Sequence, residues 1–475
     1  MWFGRYTFFA SLFSLISFAF PLESSSLYLT LQQSIQLALR NNETTLYNAR
    51  QDYHLSEIAY SRTKSEFGIK SSLSLFSSRS QSSTYDLSNQ RYLANLGLSK
   101  SLLIPTGGRV TLGLGLSSER SVSGDDITYT HTPELTLSLK QPLWKSGRFA
   151  EGSSRITADQ NFLRAKLGYQ LQRENLVLSV IQGYYGLLQA HRVVERAEQE
   201  VKSAQRVLEI GEARLRAGEI SEFEVMNLKV QLATSEDHML MAQNSAESQK
   251  VSFLRLLGLE TREEVTLEKG IEIEPFELTL EECIEEAYQN RLDVQQADIS
   301  VEAEEIKTHI AHSSNKPVLN LDGSYRRSSR DPSLTTSLKD LLGEDWRVSA
   351  RLSFPLLDGG MSRYELESAK ISYEKALKAK ELLREEIALE IEGVYRELKL
   401  NERRIESLGM NLEIAEEALK IAELRFKMGL ITAEDVSRTR DRLISAQSAL
   451  DQAKISYILN KAEMAKARGK LEEEF

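Results

Sequence analysis

No proline interrupts the 68 residues from Met361 to Met428, nor the stretch from Ser146 to Ala217. Proline removes a helical hydrogen bond and clashes with the preceding turn, so runs without it are free to be single helices. At 1.5 Å per residue the Met361–Met428 run would reach roughly 100 Å, whereas an ordinary globular helix has about 11–12 residues. Apolar side chains in that run step by four and three: Ile387, Ile391, Val394, Leu398, Ile405, Leu408, Leu412, Ala415, Leu419, Ala422 and Phe426, with Asn401 as the one polar seam position. A heptad seam sustained this far demands a partner helix. Val436, Leu443, Leu450, Tyr457 and Met464 recur every seven residues and supply one, beside a smaller stripe of Thr439, Ala446, Ala453, Asn460 and Ala467. Val225, Leu232, Met239, Ala246 and Phe253 repeat the spacing in the first half. Each half therefore predicts a helical hairpin far longer than a globular domain requires.

The turns between these helices are written twice. "RLRAGEISEFEV" starts at Arg214 and "RFKMGLITAEDV" at Arg425, 211 residues later. Gly218 and Gly429 suit the left-handed position that ends a helix. Ser221 with Glu224, and Thr432 with Asp435, are cap partners that start the next one. Capping does not require the repeated Arg214/Arg425 or Leu215/Phe426. The duplication extends further, and internal repeats decide architecture. "LTLQQSIQLALRNN" (Leu29–Asn42) matches "LTLEECIEEAYQNR" (Leu278–Arg291), "LKQPLWKSGR" matches "LSFPLLDGGM", and "LLG" and "ARG" close the copies at Gly258 and Gly469. Each copy reads as an opening helix, strands, a Pro-Leu turn and a long hairpin. The expected division is a signal peptide at 1–26, a first repeat at 27–260, a linker at 261–277 and a second repeat at 278–475.

Between the helices the periodicity changes to two. In "DWRVSARLSF", Trp346, Val348, Ala350, Leu352 and Phe354 share one side, and Arg347, Ser349, Arg351 and Ser353 the other. "VLNLDGSY" separates Leu319, Leu321 and Tyr325 from Asn320, Asp322 and Ser324 in the same way. A strand with two arginines on its polar face does not sit against a dry core; it suits a barrel with lipid outside and water inside. A soluble sheet with one wet face alternates identically. The first copy carries four such runs, "SLSLF", "YLANLGL", "RVTLGLGLS" and "ELTLSLK", so it contains an inserted hairpin. Ser118–Thr132 reads as a mobile polar loop. Four to six strands cannot close a barrel, for which about eight is the practical minimum; copies of the chain must combine.

Composition limits the alternatives. With 59 Lys and Arg against 69 Asp and Glu the net charge is −10, which argues against nucleic acid as a partner. The start, "MWFGRYTFFASLFSLISFAFPLESSS", has one early cation, an apolar run and a serine cluster, the grammar of a secretory signal peptide. No later stretch has the apolar length of a spanning helix, so entry into a membrane would be by strands. The single cysteine, Cys283, can form no intramolecular disulfide. His309 and His312 could share a metal, but two ligands rarely make a site. No phosphate-cradling loop or nucleophile elbow is present, so neither enzyme activity nor a cofactor is expected.

Taken in order, the opening helices at Leu29 and Leu278, the turns "QPLWKSGR" and "FPLLDGG", the tips "RLRAGEI" and "RFKMGLI", and the closing "AQSALDQAKISYILNKAEMAKARGKL" resemble the TolC-like outer-membrane efflux protein family over nearly all of the mature chain. The resemblance implies a mainly α chain with a transmembrane β portion, in which long helical hairpins form a periplasmic tunnel joined to a trimeric β-barrel. It implies a homotrimer in the Gram-negative outer membrane, receiving small molecules or proteins from an inner-membrane transporter through a periplasmic adaptor (membrane fusion) protein. Carried onto this sequence, Arg214, Leu215, Gly218 and Ile220 become one adaptor-contacting tip, and Arg425, Phe426, Gly429 and Ile431 the other. Glu224 and Asp435 become candidates for a tunnel constriction, in competition with their capping role. A soluble periplasmic coiled-coil adaptor is the competing expectation, and it leaves the strand arginines and the doubled plan unexplained.

Overall fold

The structure is a computed structural model that describes residues 27–42, 46–82, 87–102, 107–123, 125–144, 153–261, 264–268, 270, 273–314, 316–354, 356–428 and 430–475. The expected signal peptide, Gly429 and the Lys145–Arg148 part of the first Pro-Leu turn lie outside the described residues. The elements in chain order are β1 (Leu27–Leu29), α1 (Leu31–Asn41), α2 (Leu46–Ser65), β2 (Ile69–Ser82), β3 (Leu87–Leu102), β4 (Gly108–Ser123), β5 (Asp126–Trp144), α3 (Ser153–Arg216) and α4 (Glu222–Leu257). They continue with β6 (Val265–Leu267), α5 (Leu280–Asn290), α6 (Leu292–Ser314), β7 (Val318–Ser328), α7 (Leu334–Lys339), β8 (Gly343–Ser353), α8 (Met361–Lys427), α9 (Ala433–Ala467) and α10 (Leu471–Glu474).

The proline-free runs are single helices, α3 of 64 residues and α8 of 67. Every apolar seam position of α8 from Ile387 to Phe426 is buried or half-buried. The buried positions also recur at the sequence offset of the tips. Leu176, Val180 and Leu187 in α3 are at most 2% exposed, and so are Ile387, Ile391 and Leu398, each 211 residues later.

The chain divides into two compact units, and each draws on both sequence copies. The first unit takes residues up to Asn41, Val180–Glu272 and Ala415–Gln452. Here β1 and β6 pair in parallel, Leu29 opposite Leu267, and bury both leucines. The Tyr184 hydroxyl donates to the Leu29 carbonyl at 3.4 Å, and its ring meets Phe253 edge-on at 6.1 Å. Burial pushes the Tyr184 phenol up to about 12. Gly258 ends α4 with φ 69°, and a Cβ there would lie 2.5 Å from the Asn41 carbonyl oxygen.

The second unit comprises Asn42–Ser179, Ile273–Ile414 and Ala453–Phe475. It holds an antiparallel six-stranded sheet in the order β2-β3-β4-β5-β7-β8. Its helical core centres on Tyr457, fully buried, whose hydroxyl donates to the Glu274 carbonyl at 2.8 Å and to Glu402 at 3.2 Å. The Phe276 N–H and the Lys399 ammonium also bond Glu402, at 3.1 and 3.0 Å. Gly469 ends α9's closing turn with φ 73°, and its Cβ would meet Asn290 main chain at 2.9 Å. Cys283, on α5, is completely buried, and burial pushes its thiol up.

Four features differ from the sequence expectation. Each opening helix is a pair, α1–α2 and α5–α6; in the second copy Arg291 adopts extended backbone (φ −62°, ψ 132°) and breaks the run. Most of the Ser118–Thr132 segment is strand and not loop: β4 runs to Ser123 and β5 starts at Asp126, with Ser118 opposite His131 and Val122 opposite Ile127. Serine and threonine there face neighbouring strands, and polarity alone mislabelled them. The first Pro-Leu segment belongs to β5, whose register slips between Pro142 and Trp144. Proline cannot donate to the ladder and is accommodated at such irregularities. The linker segment contains β6, too short to show a period but with Val265 and Leu267 buried.

Candidate functional site

The sheet has two chemically opposite faces, and strand register assigns every residue to one of them. The line Ile69–Lys100–Val110–Leu139–Gly323–Val348 crosses all six strands on one face. Stepping by two from it collects Leu73 and Leu75; Leu98, Leu96 and Tyr92; Leu112, Leu114 and Leu116; Leu137 and Leu135; Leu321, Leu319 and Tyr325; and Trp346, Ala350 and Leu352. Ile69, Leu75 and Trp346 are 73, 74 and 75% exposed, so this face covers no core of its own. Tyr325 and Trp346 lie directly opposite each other at its upper margin. Beyond them the same face turns polar, with Arg327 opposite Glu344's position in register. An apolar band ended by aromatic residues is the outer surface of a membrane barrel.

The opposite face is polar. Its lines read Lys70–Ser99–Thr111–Ser138–Ser324–Arg347 and Ser72–Gly97–Gly113–Thr136–Arg326–Asp345. Phe76 and Leu93, opposite neighbours across β2 and β3, depart from the pattern. A half-open hollow of about 300 Å³ lies over its small side chains, among them Gly97, Gly113, Gly115, Ser74 and Thr136. Among the described residues no helix is long and apolar enough to cross a membrane; the sheet carries that chemistry instead.

The second site is the pair of hairpin tips, within the first unit. Gly218 has φ 76° and open space around it. The Ser221 N–H donates to Glu224 at 2.8 Å and the Glu224 N–H returns to the Ser221 hydroxyl at 3.2 Å. Thr432 and Asp435 form the same reciprocal pair at 3.0 and 3.2 Å. The Thr432 hydroxyl and N–H hold the Asp435 carboxyl below its usual range. Both candidate constriction acids are thus engaged as helix caps.

The structure adds a contact between the tips. The Arg214 guanidinium lies over the Phe426 ring, 4.9 Å from its centre. A groove of about 870 Å³ separates the hairpins behind it, lined by Gly211, Arg214, Ile220, Glu224, Ile431 and Asp441 among others. Leu215 and Ile220 are half-buried, and Arg425 is exposed. Farther along, Arg192 and Arg196 of α3 both bind Asp451 of α9, and Arg440 of α9 binds Ser203 of α3 and Glu423 of α8. Phe223, Met226, Met428 and Leu430, which sequence reasoning passed over, are 64–70% exposed at the tips. Their signal was available as large apolar residues in a turn otherwise explained by capping.

A family model described as outer membrane efflux protein matches residues 86–259 and 283–470. The chain therefore belongs to the outer membrane efflux protein family. Outer membrane protein TolC of Vibrio cholerae is 24% identical over 321 residues, 67% of this chain and 73% of that protein. TolC of Escherichia coli is 21% identical across 64% of each chain, just under two thirds of its length. The fold is that of solved outer-membrane channels. The Campylobacter jejuni CmeC channel aligns with a TM-score of 0.67 at 16% identity, covering 93% of this chain and 86% of that one. VceC of Vibrio cholerae aligns at 0.66 and 19%, covering 92% and 96%. The protein is an outer-membrane efflux channel of the family that serves tripartite efflux systems, placed in the Gram-negative outer membrane and extending into the periplasm. The soluble adaptor reading gains no support.

Proposed function

We propose that three copies of this chain close one barrel through their sheet edges, and that the hairpins continue the lumen as a helical tunnel to an adaptor and an inner-membrane transporter. The observation that carries this reading is a sheet with a lipid-like outside, a wet inside and two open edges. Unpaired strand edges are not tolerated in hydrocarbon, and β2 and β8 have none of their outer main-chain groups paired within the sheet. β2 and β8 run antiparallel, so one copy's β2 can extend the ladder of its neighbour's β8. Register supports closure. The line perpendicular to the strands leaves β2 at its first residue, Ile69, and reaches β8 at Val348, five residues before its end at Ser353. An advance of about one residue per strand, roughly 3.4 Å along against about 4.8 Å across, gives a tilt of about 35°, where barrels close. Six strands from each of three chains make eighteen, a number at which barrels hold an aqueous channel.

The helices support the same assembly. Ile414 and Ile421 on α8, with Met428 just past its end, and Phe223 and Val230 on α4, follow heptad spacing at exposed positions, as surfaces awaiting neighbouring helices do. The division into repeats at 27–260 and 278–475 is supported by the matched corners Gly258–Asn41 and Gly469–Asn290. Arg214, Leu215, Gly218, Ile220, Arg425, Phe426, Gly429 and Ile431 are the adaptor-facing residues in this reading, two similar tips per chain and six per trimer. The chain performs no chemistry and uses no cofactor; cargo is driven from the inner membrane. Charge reversal at both Arg214 and Arg425 is expected to leave the trimer intact and impair export in cells. Unchanged export from a normally assembled double variant would overturn the tip assignment.

A further inference from the structure

We propose that the lower barrel lumen is a cationic belt that favours anionic cargo. The inference rests on the three-chain barrel, which makes the polar face the lumen wall. Three successive register lines on that face, nearest the rim where β2 begins and β8 ends, hold Lys70 and Arg347; then Arg109, Lys140 and Asp322; then Arg351 opposite Asn320. That is five cations and one carboxylate per chain, in a protein whose net charge is −10. All five cations are exposed.

Their pairing separates this belt from the lumen above it. Higher on the same face the charges neutralise one another: Arg91 bonds Glu119 at 3.2 Å and Arg326 lies 3.6 Å from Asp345. In the belt, none of the five cations forms an ion pair with any described residue. Arg109 stands directly opposite Lys140, an arrangement that destabilises a sheet. On the next line above the belt, β2 to β5 carry small neutral residues, Ser72, Gly97, Gly113 and Thr136, beside the Arg326–Asp345 pair, which leave the long basic side chains room to reach solvent. The apolar face excludes a lipid-phosphate role for these groups, because they lie on the other side of the sheet. Rings of Lys and Arg make pores selective for anions, and a low-dielectric wall strengthens their field. Salt screens beyond about 8 Å, so the preference acts on cargo that passes along the wall. The ligand class is a multiply anionic small molecule or an acidic peptide segment.

The test places one reactive thiol in the belt and asks which charge reaches it. In the Cys283→Ala background, Ser138→Cys sits on the lumen face between Thr111 and Ser324. Outer-membrane trimers are treated from the external side with the anionic sulfonatoethyl or the cationic trimethylammonioethyl methanethiosulfonate reagent. The anionic reagent is expected to be favoured, and the preference to fall about tenfold when Lys70, Arg109, Lys140, Arg347 and Arg351 are changed to Gln, within the range of electrostatic focusing. Arg347→Gln with Arg351→Gln alone, a milder change confined to β8, should remove part of it. Arg91→Gln with Glu119→Gln, a neutralised upper pair, should leave it unmoved. An assembled trimer whose reagent preference is the same before and after neutralisation overturns the belt. A parent protein that forms no trimer overturns the barrel itself, so the two failures are distinguishable.

Discussion

The two corners that close the sequence copies share a backbone and differ in chemistry. At the first, Leu257 is fully buried beside Gly258, which presses against Asn41. At the second, Gly469 presses against Asn290 in the same way, but the preceding residue is Arg468, only 3% exposed. Arg468 bonds Glu286 at 2.9 Å, pairs with Glu474 and lies over the Phe276 ring at 5.5 Å. The lesson is that a duplicated chain keeps what only glycine can do and lets the neighbouring side chain diverge. A left-handed turn against another main chain has one solution; the space beside it can be filled by a leucine or by a guanidinium that pairs with two carboxylates.

Breaking the shared part should have the largest effect. Gly258→Ala adds left-handed strain of about 1–2 kcal/mol and an overlap of about 1–3 kcal/mol, so a loss of about 3 kcal/mol is expected in urea titrations followed by helix signal. Gly469→Ala, with its gentler overlap, should lose less. A neutral Gly258→Ala would mean that the corner is not shared at all. The divergent part comes next. Arg468→Ala leaves Glu286 without its buried partner and should cost about 2 kcal/mol, below the usual range for buried pairs because Glu286 keeps Lys470. Arg468→Leu together with Glu286→Gln, which removes the carboxylate along with its partner, should stay within about 1 kcal/mol of the parent.

Acid sharpens the same contrast. Burial alone would raise the Glu286 carboxyl, but hydrogen bonds from Lys470 and Arg468 outweigh it and hold the group below its ordinary range. Its folded value is therefore below its unfolded one. The contribution is complete at neutral pH and is lost as pH falls through the ordinary carboxylate range towards the depressed value. Arg468→Leu should reduce the steepness of that acid loss, read as helix signal against pH; an unchanged profile would remove Glu286 as its source. The smallest effect belongs to the tips: Ser221→Ala should cost about 1 kcal/mol of local helix stability, visible as faster amide exchange at the start of α4 and not as global unfolding.

How much was readable in advance follows from range. The seam from Ile387 to Phe426 and the alternation from Trp346 to Phe354 repeat over enough positions to declare helix and strand, and the capping pairs are local in sequence. The pairing of β1 with β6 was not readable, because three residues carry no period and their partners are more than 230 positions away. The Ser118–Thr132 strands were hidden because polar β-ladder residues look like a loop until their neighbours are known. At the tips, Arg214 and Phe426 stood out as unexplained by capping, but their stacking needed both hairpins in place. Arg347 and Arg351 were visible as lumen-like; Lys70, Arg109 and Lys140 joined them only once register put all five on one face.

The most direct measurement asks whether β2 of one copy meets β8 of the next. With a tilt of about 35° and matched rims, Leu73 comes opposite Ala350 of a neighbour, within the Cα separation a disulfide requires. Leu73→Cys with Ala350→Cys, in a Cys283→Ala background and oxidised in outer membranes, should give a reducible ladder ending at three chains on a denaturing gel. Only monomer on that gel, together with a single-chain mass in detergent, would contradict the shared barrel.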